Sequence, residues 1–277
     1  MPQDPRLAFL SSLLEDYGDE WVTKAMFHYR WTYDIEDAGF GIGTGTGFGA
    51  GIETVNKFGA TFGARQVSRK GIVGSNEQTG PHIEESFERL CGLLGDHFEA
   101  GYEYLFGGRP SAADFSIYGQ LHPMIALDPA TSQKVLAASR TTWFWYHSMK
   151  DLSGRSIADE NAGWLDMDQP LPPTLAAIFQ EAGRMYAPFM VANAAAVAAG
   201  EKVLDCQLDA GEVHWVQPSF GYQAKCLVRP HAIYTTTSSH GDLSDSERLL
   251  VFDMFRVGSV MSLALWVRMT VHGWMVY

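Results

Sequence analysis

The chain has 277 residues, of which 46% are hydrophobic and 13% aromatic, so it contains enough apolar material for one or two packed domains. Its 32 acidic and 20 basic side chains give a formal net charge of −12, which disfavours nucleic acid and an anionic membrane as partners. The first residues lack the basic region and apolar stretch of a secretory signal, so the sequence predicts a cytoplasmic location.

Apolar residues at helical spacing predict one long first helix over residues 5–33, with Asp4 as its cap and Pro5 in its first turn. The same spacing predicts a second helix over 81–104. Residues 34–80 between them have a different character, because small residues dominate their first part and basic residues follow.

Glycines alternate with small and aromatic residues from 39 to 51. Residues 45–50 fit the G-x-G-x-x-A pattern of dinucleotide-binding loops, but such a loop follows a strand, and here a predicted helix precedes it. We therefore predict a mobile loop whose basic flank would attract an acidic ligand if the loop acted as a lid.

Ser111 and Asp114 stand three residues apart, immediately before an apolar run. This spacing predicts a capping box, in which the Ser111 hydroxyl accepts from the Asp114 amide and the Asp114 carboxylate accepts from the Ser111 amide. The box begins a helix that we expect Pro123 to interrupt, and a further helix is predicted over 130–148.

The second half of the chain predicts an alanine-rich helix over 174–199, which Gly200 ends, and a short β-hairpin over 203–216. Further helices are predicted from about residue 219 and from residue 244. Since only the hairpin segment alternates with a period of two, the predicted fold class is mainly α, without a parallel sheet.

The residues after about 255 are apolar, but Arg268 and His272 interrupt them. A central arginine is costly in a bilayer, so this tail is not predicted to span a membrane.

Neither the three cysteines nor the nine histidines show a spacing that would indicate a metal site. No G-x-S-x-G motif or Cys/His pairing indicates a covalent hydrolase. The sequence therefore predicts no catalytic residue, no metal site and no cofactor site in this chain.

Three segments together resemble one family. Residues 105–121, which contain the capping box, resemble the start of the central buried helix in the C-terminal domain of glutathione transferases. Residues 19–31 and 215–227 are similar to the first helix and to a late segment of that domain in a bacterial-type branch. Their order and spacing fit, so the resemblance covers roughly residues 5–250, and the tail after 255 departs from it.

The resemblance implies a glutathione-transferase C-terminal-like helical bundle over residues 1–200. Residues 201–277 would then be a C-terminal extension, consisting of the hairpin and helices, packed on the same domain. In this family a separate thioredoxin-like domain binds glutathione and activates its thiol, and the chain contains no segment that resembles it. Glutathione is thus expected as a cosubstrate of the family rather than as a ligand of this chain.

The same resemblance makes Tyr29, Arg30 and Tyr33 the candidate substrate-binding residues, because the first helix of the family domain helps to line the pocket for the hydrophobic electrophile. The alternative interpretation of this segment is a helix–helix core for Phe27 and Trp31 with a surface salt bridge for Arg30.

Two functions remain open from the sequence. The first is the electrophile-binding and subunit-packing domain of a glutathione-transferase-like protein, which would conjugate glutathione only when joined to a thioredoxin-like domain. The second is a non-catalytic helical binding or scaffolding module. In either case we expect the partner, a thioredoxin-like domain or a second copy, to bind residues 34–75 and an exposed apolar stripe on the first helix. The predicted stripe consists of Trp21, Met26, Tyr29 and Tyr33.

Overall fold

The computed structural model describes residues 2–155 and 162–226, and these form a mainly helical body with one small hairpin. The helices are α1 Pro5–Tyr17, α2 Thr23–Tyr33, α3 Ile35–Gly43, α4 Ile52–Val67, α5 Gly80–Glu99, α6 Ala112–Ala126, α7 Pro129–Ala138, α8 Arg140–Met149, α9 Pro173–Ala198 and α10 Gly221–Cys226. The strands are β1 Val203–Leu208 and β2 Val213–Pro218. The mainly α fold class with a small hairpin is therefore confirmed.

The predicted first helix is α1 and α2, joined by a π-helical turn at Gly18–Val22. Asp4 caps its start, since its carboxylate accepts from the amides of Arg6 at 2.8 Å and Leu7 at 3.3 Å. At the turn a Cβ on Gly18 would lie 2.2 Å from the Oγ atom of Ser116, so glycine permits the close approach of α6.

The exposed stripe predicted on this helix is wrong for Trp21 and Tyr29, which are buried, while Met26 is partly buried and Tyr33 is exposed. Trp21 is 4% exposed and packs on Phe189 and Trp215, with ring centroids 5.5 and 5.3 Å away. Tyr29 is also buried, and its ring packs on Phe87. Because α5, α9 and the β-hairpin cover Trp21 and Tyr29, these two side chains belong to the core, whereas Tyr33 at the end of α2 reaches the surface.

The prediction of a mobile loop for the glycine-rich segment is also wrong. Residues 35–67 form two helices, α3 and α4, joined by short 3₁₀ turns, and we call this unit the glycine hairpin. Its glycines allow the two backbones to touch: a Cβ on Gly59 would lie 2.2 Å from the carbonyl oxygen of Gly39. Gly47 and Gly51 adopt φ values of 82° and 86°, which make the connection between the helices.

The capping box is present at the start of α6. Ser111 Oγ accepts from the Asp114 amide at 3.4 Å, and Asp114 Oδ2 accepts from the Ser111 amide at 2.8 Å. Asp114 also accepts from the amide of Leu105 at 2.9 Å and is fully buried, so it fixes the turn before the helix as well. The helix does not stop at Pro123 but continues to Ala126, because the proline ring fixes φ at about −65°, which is a helical value, and the chain loses one hydrogen bond near the helix end.

Two other predicted helices have different boundaries. The predicted helix over 130–148 is in fact α7 and α8, because Ser139 is extended and its hydroxyl caps α8 by accepting from the Thr142 amide at 3.1 Å. The helix predicted over 81–104 ends at Glu99, and Gly101 in the turn after it has a φ of 98°.

The predicted hairpin is confirmed. Strands β1 and β2 are antiparallel, with Val203 opposite Pro218 and Leu208 opposite Val213, and they form the only sheet in the described part of the chain. Both β1 and α10 pack on α9, whose start agrees with the predicted alanine-rich helix. The helix predicted from residue 244 and the apolar tail lie outside the described residues. No helix in the described ranges is long and apolar enough to cross a bilayer.

The contact between Gly39 and Gly59 in the glycine hairpin gives a first prediction. Gly59→Ala should destabilise the glycine hairpin by about 1–3 kcal/mol, because the added methyl group overlaps the backbone of α3. Amide hydrogen exchange in α3 and α4 should accelerate. Gly41→Ala is the matched control, since no atom of the described residues lies within 4 Å of its Cβ position, and it should slow exchange. Equal exchange in the two variants would contradict the close contact.

The capping box gives a second prediction. Ser111→Ala should lower the free energy of unfolding by about 1 kcal/mol or more, because the Asp114 amide loses its acceptor. Asp114→Ala should lower the free energy of unfolding further, because the buried amides of Leu105 and Ser111 both lose their acceptor. Asp96→Ala, at an exposed position within α5, is the control and should unfold at nearly the wild-type denaturant concentration. Unchanged unfolding of both cap variants would contradict the role of the box.

Candidate functional site

The three predicted substrate-binding residues lie in the second half of α2, but only one of them reaches the surface. Tyr33 is 40% exposed, whereas Tyr29 is 1% and Arg30 9% exposed. Tyr33 therefore presents a ring to solvent, while the other two side chains lie beneath it in the body of the domain. The Tyr29 ring lies 5.7 Å from the Tyr33 ring and supports it from inside.

Hydrogen bonds hold Tyr33 in place. Its hydroxyl donates to Glu84 Oε1 at 2.6 Å, and the same oxygen lies 2.9 Å from Nε2 of the buried His28. Burial alone would raise the pKa of Glu84, but the hydrogen bonds from Tyr33 and His28 bring it below its ordinary value. In return, the hydrogen bond to Glu84 raises the pKa of Tyr33 to about 12, so the phenol keeps its proton at neutral pH.

His28 lies between two partners, since its Nδ1 atom is 2.7 Å from Ser75 Oγ and its Nε2 atom binds Glu84. Burial lowers the pKa of His28, although Glu84 opposes this shift. Ser75, His28 and Glu84 are connected in the same order as the serine, histidine and acidic residue of a catalytic triad. Ser75 is only 2% exposed, however, so no substrate can reach its hydroxyl. A Cβ on Gly80 would lie 2.9 Å from the His28 ring, so this glycine leaves room for the histidine.

A positive charge completes the exposed part of the site. The Lys134 Nζ atom, on α7, lies 4.2 Å from the centroid of the Tyr33 ring. An ammonium at this distance is attracted to the ring face and helps to hold the ring. The site thus combines an aromatic ring, a carboxylate and an ammonium that come from α2, α5 and α7.

Arg30 points into the domain, towards the start of α7. Its Nε atom lies 3.5 Å from Asp128 Oδ2, and neither carboxylate oxygen of the buried Asp128 has a hydrogen-bond partner among the described residues. Burial raises the pKa of Asp128 to about 7, and the Arg30 guanidinium opposes that shift. The cap of α7 comes from Asp34 instead, which accepts from the amides of Ala130 and Thr131 at 2.8 Å each. Arg30 is therefore part of a buried ion pair rather than of the surface salt bridge considered from the sequence.

A second polar group, which the sequence reasoning missed, surrounds Lys24. This side chain is 1% exposed, and its Nζ atom donates to the carbonyl of Val73 at 3.0 Å and to Gln217 Oε1 at 3.2 Å. It also lies 4.0 Å from the centroid of the Phe189 ring. Burial lowers the pKa of Lys24 to about 7. One sequence signal could have indicated that Lys24 is buried: it lies three residues after Trp21 and four before His28, on the apolar face of the helix.

A cavity of about 430 Å³ adjoins this lysine. Its wall includes the carboxylic acids Asp19 and Glu20 and the aromatic rings of Phe220 and Tyr222. Lys24 has its two hydrogen bonds and its ring contact within the protein, so it holds α2 against the β-hairpin. We assign it a structural role.

Residues 76–145 match the family model described as the C-terminal domain of glutathione S-transferase. The match begins just before α5 and ends in α8, so it includes Glu84, the Ser111–Asp114 capping box, Asp128 and Lys134. The predicted family resemblance is confirmed for this segment. No curated protein and no solved structure matches the chain. The resemblances at residues 19–31 and 215–227 lie outside the matched segment and stay predictions.

The raised pKa of Asp128 predicts a pH effect on stability. Because the folded protein holds this proton more tightly than the unfolded chain, whose aspartates titrate near 3.8, Asp128 lowers stability progressively as the pH rises from about 4 to about 7. Asp128→Asn removes this titration. The unfolding free energy of the variant relative to wild type should therefore increase by about 1–3 kcal/mol between pH 5 and pH 8.

Chemical denaturation at a series of pH values measures this difference. Asp96→Asn, at an exposed position within α5, is the control for the effect of an aspartate-to-asparagine substitution in itself. A difference between wild type and Asp128→Asn that is constant from pH 5 to pH 8 would show that Asp128 is already ionised in the folded protein at pH 5.

Proposed function

We propose that this chain, which carries a glutathione S-transferase C-terminal domain, provides the electrophile-binding and subunit-packing half of a glutathione-transferase-like protein. The observation that carries the proposal is the exposed Tyr33 ring, held between Glu84 and Lys134 of the matched segment. The residue comes from α2 and both of its polar partners come from the family domain. The resemblance of α2 to the family's pocket-lining helix and the position of the ring thus support the same site.

The chemistry of Tyr33 suits binding rather than proton transfer. The exposed part of the Tyr33 side chain, 40% of its surface, offers apolar contact to an electrophile, and rigid support by Tyr29 and Glu84 reduces the entropy lost on binding. Since the hydrogen bond to Glu84 raises the pKa of the phenol, Tyr33 is a hydrogen-bond donor at neutral pH and not a base. Ile35, which is 39% exposed and two residues further along the chain, extends the apolar surface.

Conjugation of glutathione requires a thiolate held beside the electrophile. That thiolate belongs to glutathione itself, and the Tyr33 hydroxyl donates its hydrogen bond to Glu84 rather than to a cosubstrate thiol. We therefore assign thiol activation and peptide binding to a thioredoxin-like domain, which would dock across Tyr33 and Ile35. A second copy of the chain is the other partner proposed for this surface.

The alternative function is a non-catalytic helical binding or scaffolding module. The observation that favours it is the glycine hairpin, which exposes several large apolar side chains and packs on the rest of the body mainly through α2. On this alternative the chain would bind partners without an electrophile site at Tyr33.

Calorimetric titration of the chain with glutathione should show no binding at micromolar concentrations, because the peptide-binding groups belong to the other domain. Micromolar affinity would instead place a glutathione site within this chain. Conjugation of chlorodinitrobenzene by the chain alone should equal the rate without protein, and addition of a thioredoxin-like domain from a related transferase should raise it.

The electrophile site has its own test. Tyr33→Ala should weaken binding of a fluorescent apolar ligand such as anilinonaphthalene sulfonate by roughly tenfold, as removal of a central aromatic contact does. Phe144→Ala is the matched control, since Phe144 is 59% exposed on α8, and it should retain the wild-type affinity. Equal losses in the two variants would favour the non-catalytic alternative over an electrophile site at Tyr33.

A further inference from the structure

The cavity beside Lys24 is separate from the site at Tyr33. Its volume of about 430 Å³ lies in the range of small-molecule sites. It adjoins the π-helical turn and the start of α2, whereas Tyr33 is the last residue of α2, about 15 Å further along the helix axis. A ligand in this cavity would therefore be bound independently of an electrophile at Tyr33.

Two aromatic rings border the cavity. The ring centroids of Phe220 and Tyr222 are 6.1 Å apart and their planes are inclined at 43°, so the rings do not stack on each other. Asn193 of α9 fixes the backbone of Phe220, because the Phe220 amide donates to Asn193 Oδ1 at 2.8 Å and the Phe220 carbonyl accepts from Asn193 Nδ2 at 3.0 Å. The face of either ring would attract a cation that entered the cavity.

Two neighbouring carboxylates border the same cavity. Glu20 is 7% exposed, and Asp19 is held in position because its Oδ1 atom accepts from Ser116 Oγ at 2.8 Å. The pKa of the Tyr222 phenol is raised, first by the Cys226 thiol and further by both of these carboxylates. The two acids therefore lie within electrostatic reach of the ring, and they would attract the same cation as its face.

Lys24 is the basic residue in the described wall of the cavity, and its charge opposes a bound cation. Its Nζ atom is already bound to the Val73 carbonyl and to Gln217 Oε1. Burial lowers the pKa of Lys24 to about 7, so the amine is only partly protonated at neutral pH. The two carboxylates therefore outweigh the lysine, and the described wall is negative.

Gln223 supplies an acceptor that has no partner. Its side chain is 4% exposed and belongs to the wall of the cavity. Its Nε2 atom donates to the carbonyl of Glu20 at 3.0 Å, whereas its Oε1 atom accepts no hydrogen bond from any residue in the described ranges. Because an unpaired buried acceptor is unfavourable, a ligand with a hydroxyl or N–H group would gain from donating to it.

We propose that this cavity binds a small methylated ammonium ion that carries a hydroxyl group, the chemical class of choline. The cation would lie against the rings of Phe220 and Tyr222, and the carboxylates of Asp19 and Glu20 would balance its charge. The ligand hydroxyl would donate to Gln223 Oε1. Aromatic faces combined with acidic groups suit a methylated cation, because its apolar methyl groups contact the rings while its charge remains. The proposal is independent of the proposed function.

The experiment is calorimetric titration of the full chain with three probes. They are choline, its uncharged isostere dimethylbutanol, and ethanolamine, which carries the same hydroxyl on a primary ammonium. Choline should bind at millimolar concentrations, and dimethylbutanol should bind roughly tenfold more weakly because it lacks the charge. Ethanolamine should also bind more weakly than choline, since it lacks the methyl groups that contact the rings. Absence of choline binding, equal binding of dimethylbutanol, or tighter binding of ethanolamine would each overturn the proposal.

Variants assign the binding to this cavity. Tyr222→Ala should weaken choline binding by roughly fivefold, whereas Tyr222→Phe keeps the ring and should retain the affinity. Glu20→Gln should weaken binding by roughly tenfold, because it removes a partly buried charge. Tyr222 is 64% exposed, so its replacement tests the site even where Glu20→Gln fails to fold.

Two matched controls lie elsewhere on the surface. Phe115→Ala removes an exposed ring on α6, and Glu36→Gln removes an exposed carboxylate on α3. Both should bind choline with wild-type affinity, and thermal unfolding of every variant should confirm that it is folded. Equal losses in the cavity variants and the controls would overturn the proposal, as would equal losses in Tyr222→Ala and Tyr222→Phe.

Discussion

The buried carboxylate of Glu181 is the contact on which the arrangement of helices depends. This residue lies in the middle of α9 and is 2% exposed, and Arg89 of α5 binds it with two hydrogen bonds at 2.9 and 3.0 Å. Ser86 donates to the same carboxylate at 3.0 Å and accepts from the Trp21 indole at 3.1 Å. The Glu181 carboxylate thus joins α9 to α5, and Ser86 connects it to the π-helical turn. A buried charge without partners would be strongly unfavourable, so the network specifies one mutual position of these three elements.

The candidate site depends on that position. Tyr33 lies at the end of α2, and it meets Glu84 because α5 lies beside α2, held there by the Trp21–Ser86 hydrogen bond and by the packing of Tyr29 on Phe87. Lys134 comes to the ring from α7, whose start is bound by Asp34 immediately after α2. Asp34, the residue directly after Tyr33, therefore also anchors α7, the helix that supplies Lys134.

The glycine hairpin follows a different physical rule from the rest of the body. Its two helices touch through glycines, so they bury backbone against backbone and leave large side chains such as Phe48 and Phe58 outside. Elsewhere, large side chains such as Trp21 and Trp215 fill the space between the elements. This difference explains why one short unit holds nearly half of the exposed large apolar side chains of the described residues.

Local sequence signals determined those features whose physics is itself local. The capping box at Ser111 and Asp114, the hairpin around Gly211 and the long helix capped by Asp4 each follow from groups a few residues apart, and all three are present. The family segment was recognised in the same way. Only the tertiary structure decided which apolar face is covered, because burial depends on distant elements: Trp21 and Tyr29 look like a surface stripe until α5, α9 and the strands are placed over them. Likewise, alternating glycines allow either a loop or closely packed helices, and the choice rests on a contact between residues twenty apart, Gly39 and Gly59.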